Sequence, residues 1–235
     1  MGTSRLKPFF SYYGSKWRIA PKYPRPKWST LIEPFAGAAS YSLLYPDHDV
    51  FLTDVDPILA GLWTYLIKVS EKEIRSLPDL PVGVDVGTLD VCQEARWLIG
   101  FWLNKGAASP CRTMSKWGAQ WPKQFWGPRI RERVASQIQY IRHWRVGQCE
   151  YSEIPNARAT WFVDPPYQVA GKHYKHSRVD FPHLADWCRS RNGQAIVCEN
   201  QGAEWLPFVP FCAAQANESA TGGKVSKEAI WSKGD

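Results

Sequence analysis

The chain has 235 residues, 44% hydrophobic and 22% charged, with 29 Lys and Arg against 22 Asp and Glu and a formal charge of +7. This is enough for one substantial core, it excludes the disordered and collagen-like classes, and the basic surplus suits a polyanionic partner. No apolar run reaches the length of a membrane span, and the 6 cysteines form no Cys-x-x-Cys pair and read as reduced thiols of a cytoplasmic protein.

Phe9-Phe10-Ser11-Tyr12-Tyr13-Gly14-Ser15-Lys16 opens the ordered part. A glycine here lets the backbone approach a ligand, and Lys16 can pair with a carboxylate; the alternative is an ordinary turn with a solvated lysine. Leu31 and Ile32 read as a strand running into Glu33-Pro34-Phe35, a tight turn of small residues from Ala36 to Ser40, and a helix through 41–45. Such a strand-to-helix turn is how an α/β sheet makes room for a cofactor. Residues 50–54 form the next strand, ending in Asp54, where nucleotide-binding α/β folds receive ribose hydroxyls. Asp56 and Pro57 supply the cap and first turn of a helix over 57–69, which leaves Asp54 free for a ligand. Ser70 to Glu73 is a capping box that starts a short second helix. A linker rich in Pro, Gly and Asp spans 78–87, and Thr88 is placed to cap a helix running to Asn104.

Residues 105–128 mix Gly, Ala, Ser and Pro with Lys105, Arg112, Lys116, Lys123, Trp117, Trp121 and Trp126, and contain no acid. Basic residues interleaved with aromatics suit phosphate contact and base readout; the alternative is a surface loop packed by its own tryptophans. A helix is expected over 128–145, with Ile130, Val134, Ile138 and Ile141 on one face and Arg129 on the basic remainder. Cys149-Glu150-Tyr151 reads as a short strand end.

The apolar run Thr160-Trp161-Phe162-Val163 predicts a buried strand that ends in Asp164-Pro165-Pro166-Tyr167. Each proline fixes φ and lacks an N–H, so the carbonyls beside Asp164 have little freedom and few local donors. The carboxylate and a fixed carbonyl can accept both hydrogens of an exocyclic amine while Tyr167 stacks on its ring, which is equipment for holding a flipped-out base. The bland reading is a strand ending in a Pro-rich turn with a capping Asp. Residues 168–179, with Lys172 and Tyr174, form a polar and basic loop. His173, His176 and His183 lie near Cys188 but match no zinc spacing, so surface histidines and no metal are expected. A helix over 182–191, a strand over 195–198, a Gly-Gly turn within 220–227 and a closing edge strand over 228–231 complete the chain.

From about Lys7 to Trp231 the order of these pieces resembles the Dam-like N6-adenine DNA methyltransferases, whose catalytic motif is Asp-Pro-Pro-Tyr. The resemblance implies a Rossmann-like S-adenosylmethionine-dependent methyltransferase fold: α/β, with a mixed, mostly parallel sheet and a small target-recognition insert. It divides the domain into a cofactor-binding part (1–104), the insert (105–128) and a catalytic part (129–235). It implies S-adenosylmethionine bound by Tyr12, Gly14, Lys16, Glu33, Phe35, Gly37, Asp54, Glu150, Tyr151 and Asp164, with Lys16 on the methionine carboxylate and the Glu150–Tyr151 pair at the adenine. It implies catalysis by Asp164, Pro165, Pro166 and Tyr167, and double-stranded DNA met by Lys105, Arg112, Lys116, Trp117, Lys123, Arg129, Lys172 and Tyr174. The chain departs from the family pattern at Tyr12 (usually Trp), Ser15 (usually Gly), Ala39 (in place of the second glycine of Phe-x-Gly-x-Gly) and Glu150 (usually Asp). The Ala39 methyl is an expected point of crowding against the cofactor. Rival readings are an RNA adenine methyltransferase, a protein-glutamine methyltransferase (opposed by Asp164 where those enzymes carry Asn), and a DNA-binding regulator that keeps the fold without turnover. A monomer without metal or membrane partner is expected.

Overall fold

The computed structural model describes residues 5–114, 116–121, 124–168, 178–215 and 225–234. Seven strands, β1 (Thr30–Glu33), β2 (Asp49–Thr53), β3 (Arg145–Gly147), β4 (Ala159–Val163), β5 (Gly193–Asn200), β6 (Val209–Gln215) and β7 (Val225–Lys233), form one sheet in the order β3-β2-β1-β4-β5-β7-β6. The ladders from β3 across to β5 are parallel, while β7 runs antiparallel between β5 and β6. The fold is therefore α/β on a mixed, mostly parallel sheet, and its first five strands follow the order of doubly wound nucleotide-binding sheets.

Helices cover both faces, so the central strands are buried on both sides and read as continuous apolar runs. All five residues of β4 are buried. Its side chains alternate by the period of a strand: Phe162 joins the larger core with Leu31, Ile196 and Cys198, and Trp161 and Val163 join the smaller one with Ile32, Ala195 and Val197. The larger core takes in α1 (Pro57–Lys68), α2 (Glu71–Ser76), α3 (Gln93–Phe101) and α5 (Pro128–Ala135). The smaller one is closed by α6 (Phe181–Ser190) through Leu184 and Trp187. The short helix α4 (Lys116–Ala119) lies in the 105–128 segment.

Several boundaries differ from expectation. A single 3-10 turn, Ser42–Leu44, follows the small-residue turn in place of a helix, because Pro46 disfavours helical backbone at Tyr45. Thr88 caps nothing: its hydroxyl donates to the Asp85 carbonyl at 2.8 Å, and α3 starts at Gln93. The helix expected over 128–145 stops at Ala135 and resumes as a 3-10 turn, Ile138–Ile141. Tyr151 opens a 3-10 turn closed by a Glu150–Glu153 capping box, not a strand end. The strand over 228–231 is longer than expected and is not an edge, since β6 lies outside it. Residues 216–224, including the Gly-Gly pair, lie outside the described residues.

Candidate active site

Beyond the carboxyl ends of β1, β2 and β4 the sheet opens into a cavity of about 540 Å³, within the range of small-molecule sites. It stands where strand order reverses between β1 and β4, the position at which open α/β sheets take ligands. Tyr12, Gly14 and Lys16 line it from the N-terminal segment, and Glu33, Phe35 and Gly37 from the end of β1. Asp54 follows β2, Glu150 and Tyr151 follow β3, and Asp164 follows β4 in the same wall. Every residue read from the sequence as cofactor-binding thus faces one space. Ser40, Phe162, Pro166 and Arg178 extend the wall. Pro166 belongs to the motif read as catalytic, Ser40 to the small-residue turn and Arg178 to the polar loop after Tyr167, whereas Phe162 was read only as part of a buried strand.

The turn after β1 is held by backbone conformation and by Asp54. Gly37 and Ala39 both have positive φ, 45° and 49°. A Cβ on Gly37 would stand 3.2 Å from the Tyr12 ring, so glycine is required there twice over. The Gly37 N–H donates to Asp54 Oδ2 at 3.1 Å, and the Asp56 N–H donates to Asp54 Oδ1 at 3.0 Å. The sequence reading left Asp54 free for a ligand; instead it ties the turn to the end of β2. A carboxylate oxygen has capacity for a second donor, and Asp54 still lines the cavity. Ala39 is fully buried among core side chains and outside the cavity wall. Its methyl faces the core and not the cavity, and its cost is a left-handed backbone.

Charge is concentrated beside Asp164. Lys16 is buried, with Nζ 3.3 Å from Asp164 Oδ1, 3.2 Å from the Gly14 carbonyl that accepts from it, and 4.5 Å from the centroid of the Tyr167 ring. Burial pushes the Asp164 carboxyl up from its ordinary range and the Lys16 ammonium opposes that push. Asp164 Oδ1 is buried and accepts no aligned hydrogen bond among the described residues, and a buried acceptor in that state calls for a donor. Glu33, also buried, accepts from the Ser42 N–H at 2.7 Å. Burial raises it to about 8, against the pull of Ser42 and with the help of the Asp164 charge. Lys16 is thus neither solvated nor simply waiting for a ligand: it is the counter-ion of Asp164.

The aromatic end of the cavity is built by Phe35 and Tyr151, with ring centroids 5.5 Å apart. Tyr151 shares a 2.7 Å hydrogen bond with His183 Nδ1. His183 sits in the first turn of α6, where its N–H donates to the capping Asp180. Its role was not visible in the sequence, where it read as one of several scattered histidines. Glu150 is exposed at the rim.

Of the residues read as DNA-binding, Lys105, Arg112, Lys116 and Arg129 do not line the cavity. Lys105, Lys116 and Arg129 are exposed, and Arg112 is exposed but paired to Asp85 at 2.6 Å. Trp117 lies in α4, while Lys123, Lys172 and Tyr174 fall outside the described residues. The 105–128 segment is partly a packed one, as the alternative reading had it: Met114, Phe125 and Trp126 are buried in the larger core, whereas Trp121 is 48% exposed. Its first residues reach the cavity rim, where Tyr13 donates its N–H to the Ala107 carbonyl at 3.2 Å.

Among the described residues no helix is long and apolar enough to cross a membrane, and no group of three His, Cys, Asp or Glu side chains could hold a metal ion. All 6 cysteines are free thiols. No family model matches the chain, and no curated protein matches it. Among solved structures, a conserved hypothetical protein from Streptococcus pyogenes is similar over 92% of this chain and 91% of that one, at 8% identity and a TM-score of 0.34, a likeness too slight to bear on fold or activity.

Proposed function

We propose that this protein is a site-specific DNA adenine N6-methyltransferase of the Dam-like type, using S-adenosylmethionine. One observation carries the reading: ten residues from five separate segments, singled out by that resemblance, line a single cavity with Asp164 in its wall. The residues fit the cofactor by their chemistry. Phe35 and Tyr151 offer apolar ring faces, Asp54 and Glu150 offer acceptors to hydroxyl groups, and the Gly37 turn gives close backbone approach. S-adenosylmethionine supplies an activated methyl on a sulfonium.

Asp164 and the Pro165 carbonyl accept the two hydrogens of the target amine, which frees the nitrogen lone pair otherwise shared with the ring. Tyr167 stacks on the base, and positioning of the amine supplies much of the rate. Lys16 opposes the protonation that burial favours at Asp164; displacement of Lys16 toward an incoming carboxylate leaves Oδ1 to the substrate. The exposed Lys105, Lys116 and Arg129 suit phosphate contact.

The test is incubation with unmethylated bacterial DNA and tritiated S-adenosylmethionine, followed by digestion to nucleosides and chromatography. Label in N6-methyldeoxyadenosine is expected. Asp164→Ala should abolish transfer and leave retention of DNA on a filter largely intact. Methylation that survives this change sinks the mechanism, and label found only with RNA transfers the reading to an RNA adenine methyltransferase.

A further inference from the structure

The Asp164–Tyr167 turn is pinned from behind by two buried carboxylates that do not line the cavity. Glu228 stands on β7, opposite Asn200 of β5, and is 3% exposed. The Tyr167 hydroxyl donates to its Oε2 at 2.6 Å, and the Ser226 hydroxyl lies 2.7 Å from its Oε1. Glu199, at the end of β5, is fully buried. Its Oε2 accepts from the Gln168 N–H and from Trp205 Nε1, both at 3.0 Å, and its Oε1 accepts from the Asn200 N–H at 2.8 Å. One carboxylate therefore fixes the tyrosine ring, and the other fixes the backbone one residue further on.

A buried acid on a strand inside the sheet is costly. A neutral acceptor would satisfy a phenol, so a plain structural need leaves the charge unexplained. Tyrosine has two side-chain torsions, and the terminal one is soft. The phenol oxygen lies on the axis of that torsion, so the bond to Glu228 fixes the far end of the ring and with it the first torsion, while a phenolic O–H that prefers the ring plane carries the direction of its acceptor into the ring; bonds to a carboxylate are the short, strong ones. The face of the same ring already meets Lys16 Nζ. We propose that Glu228 is a positioning residue of this site, holding the far end of the Tyr167 ring where a stacked base requires it. This rests on the methyltransferase reading.

Glu228→Gln keeps the shape and an acceptor but removes the charge. The expected result is a fall in kcat of about tenfold, since small misplacements of a reacting group are expensive. KM for DNA and for S-adenosylmethionine should stay within about threefold, the pattern of an interaction made in the transition state. In a Tyr167→Phe background, Glu228→Gln should change kcat by less than about twofold, because both changes cut the same link. The acid limb of the kcat profile should also move to lower pH. Asp164 is faced by Lys16, Glu33, Tyr23, Tyr167, Cys198, Glu199 and Glu228, and the negative charge of Glu228 is among the influences that raise it. Unchanged kcat in Glu228→Gln, losses that add in the double variant, or a raised KM with kcat preserved would each overturn the role. Wild-type protein that methylates no nucleic acid overturns the functional reading and this role with it, whereas an active wild type with a silent Glu228→Gln overturns the role alone.

Discussion

Glu33 is a carboxyl group with no room for its charge. It is 2% exposed, shares its surroundings with Asp164, and is raised from its ordinary 4.5 to about 8. A carboxyl raised on folding binds its proton more tightly in the native state than in the unfolded chain. Its contribution to stability is therefore complete below the unfolded value and is lost as pH climbs through the folded one. Glu33→Gln keeps an acceptor for the Ser42 N–H and has no charge to bury. Relative to this variant, the wild type should lose stability between pH 4.5 and about 8, by on the order of a few kcal/mol. Urea titrations at pH 5 and pH 9 read the difference; equal gaps at both would show that Glu33 carries no such strain. Asp164, Lys16 and Gly37 were legible in the sequence because their chemistry is announced locally, by a proline pair, by a lone cation after a Gly-Ser turn, and by a run of small residues. Glu228 was not. Its partner Tyr167 lies 61 positions away, and the two meet only because β7 turns back into the sheet beside β5.

Strands carry the site, and the tightest junction between them is at Gly193. It begins β5 with φ at +87°, and a Cβ there would lie 2.4 Å from the Ala159 carbonyl oxygen and 2.8 Å from Trp28 Nε1. Ala159 is the first residue of β4, and Asp164 follows its last, so pressure at Gly193 pushes on the strand that presents the carboxylate. Gly193→Ala should cost at least about 2 kcal/mol, from left-handed strain together with a backbone collision. Thermal unfolding checks this, and a melting temperature equal to wild type would refute it. At this scale the alternation of core side chains was readable and the interruptions were not. Ile130, Val134, Ile138 and Ile141 all reach the larger core as their spacing requires, although the helix breaks between the second and third of them. β6 went unread because Pro210 interrupts its short apolar run, and proline in a run argues against a strand unless it lies at an edge or a bulge. Here it lies at both.

At the scale of the molecule, Lys105, Lys116 and Arg129 are exposed and none lines the cavity, whose own cations among the described residues are Lys16 and Arg178. Joint replacement of these three by Ala should flatten the dependence of log affinity for DNA on log salt by about 2 to 3 in slope if each neutralises one phosphate. S-adenosylmethionine affinity should be unchanged. Arg112 should contribute less than these three, because it already has Asp85 as a partner. An unaltered salt slope in the triple variant would remove the segment from the DNA interface. That the 105–128 segment is basic was legible from composition alone, but not how far it is anchored, because burial of Phe125 and Trp126 depends on helices brought in from elsewhere.

The ends of the sheet have a further consequence. β3 has three residues and carries Arg145, paired to Asp49 of its neighbour, while β6 is broken by a shift in register at Pro210. A second chain seeking to extend the sheet meets a ledge too short on one side and a kinked one on the other. Sheets that continue from molecule to molecule begin at long, flat, unguarded margins, and both margins here are blunted. The protein thereby has a built-in resistance to stacking strand upon strand as it is concentrated, won by shortening one boundary strand and bending the other.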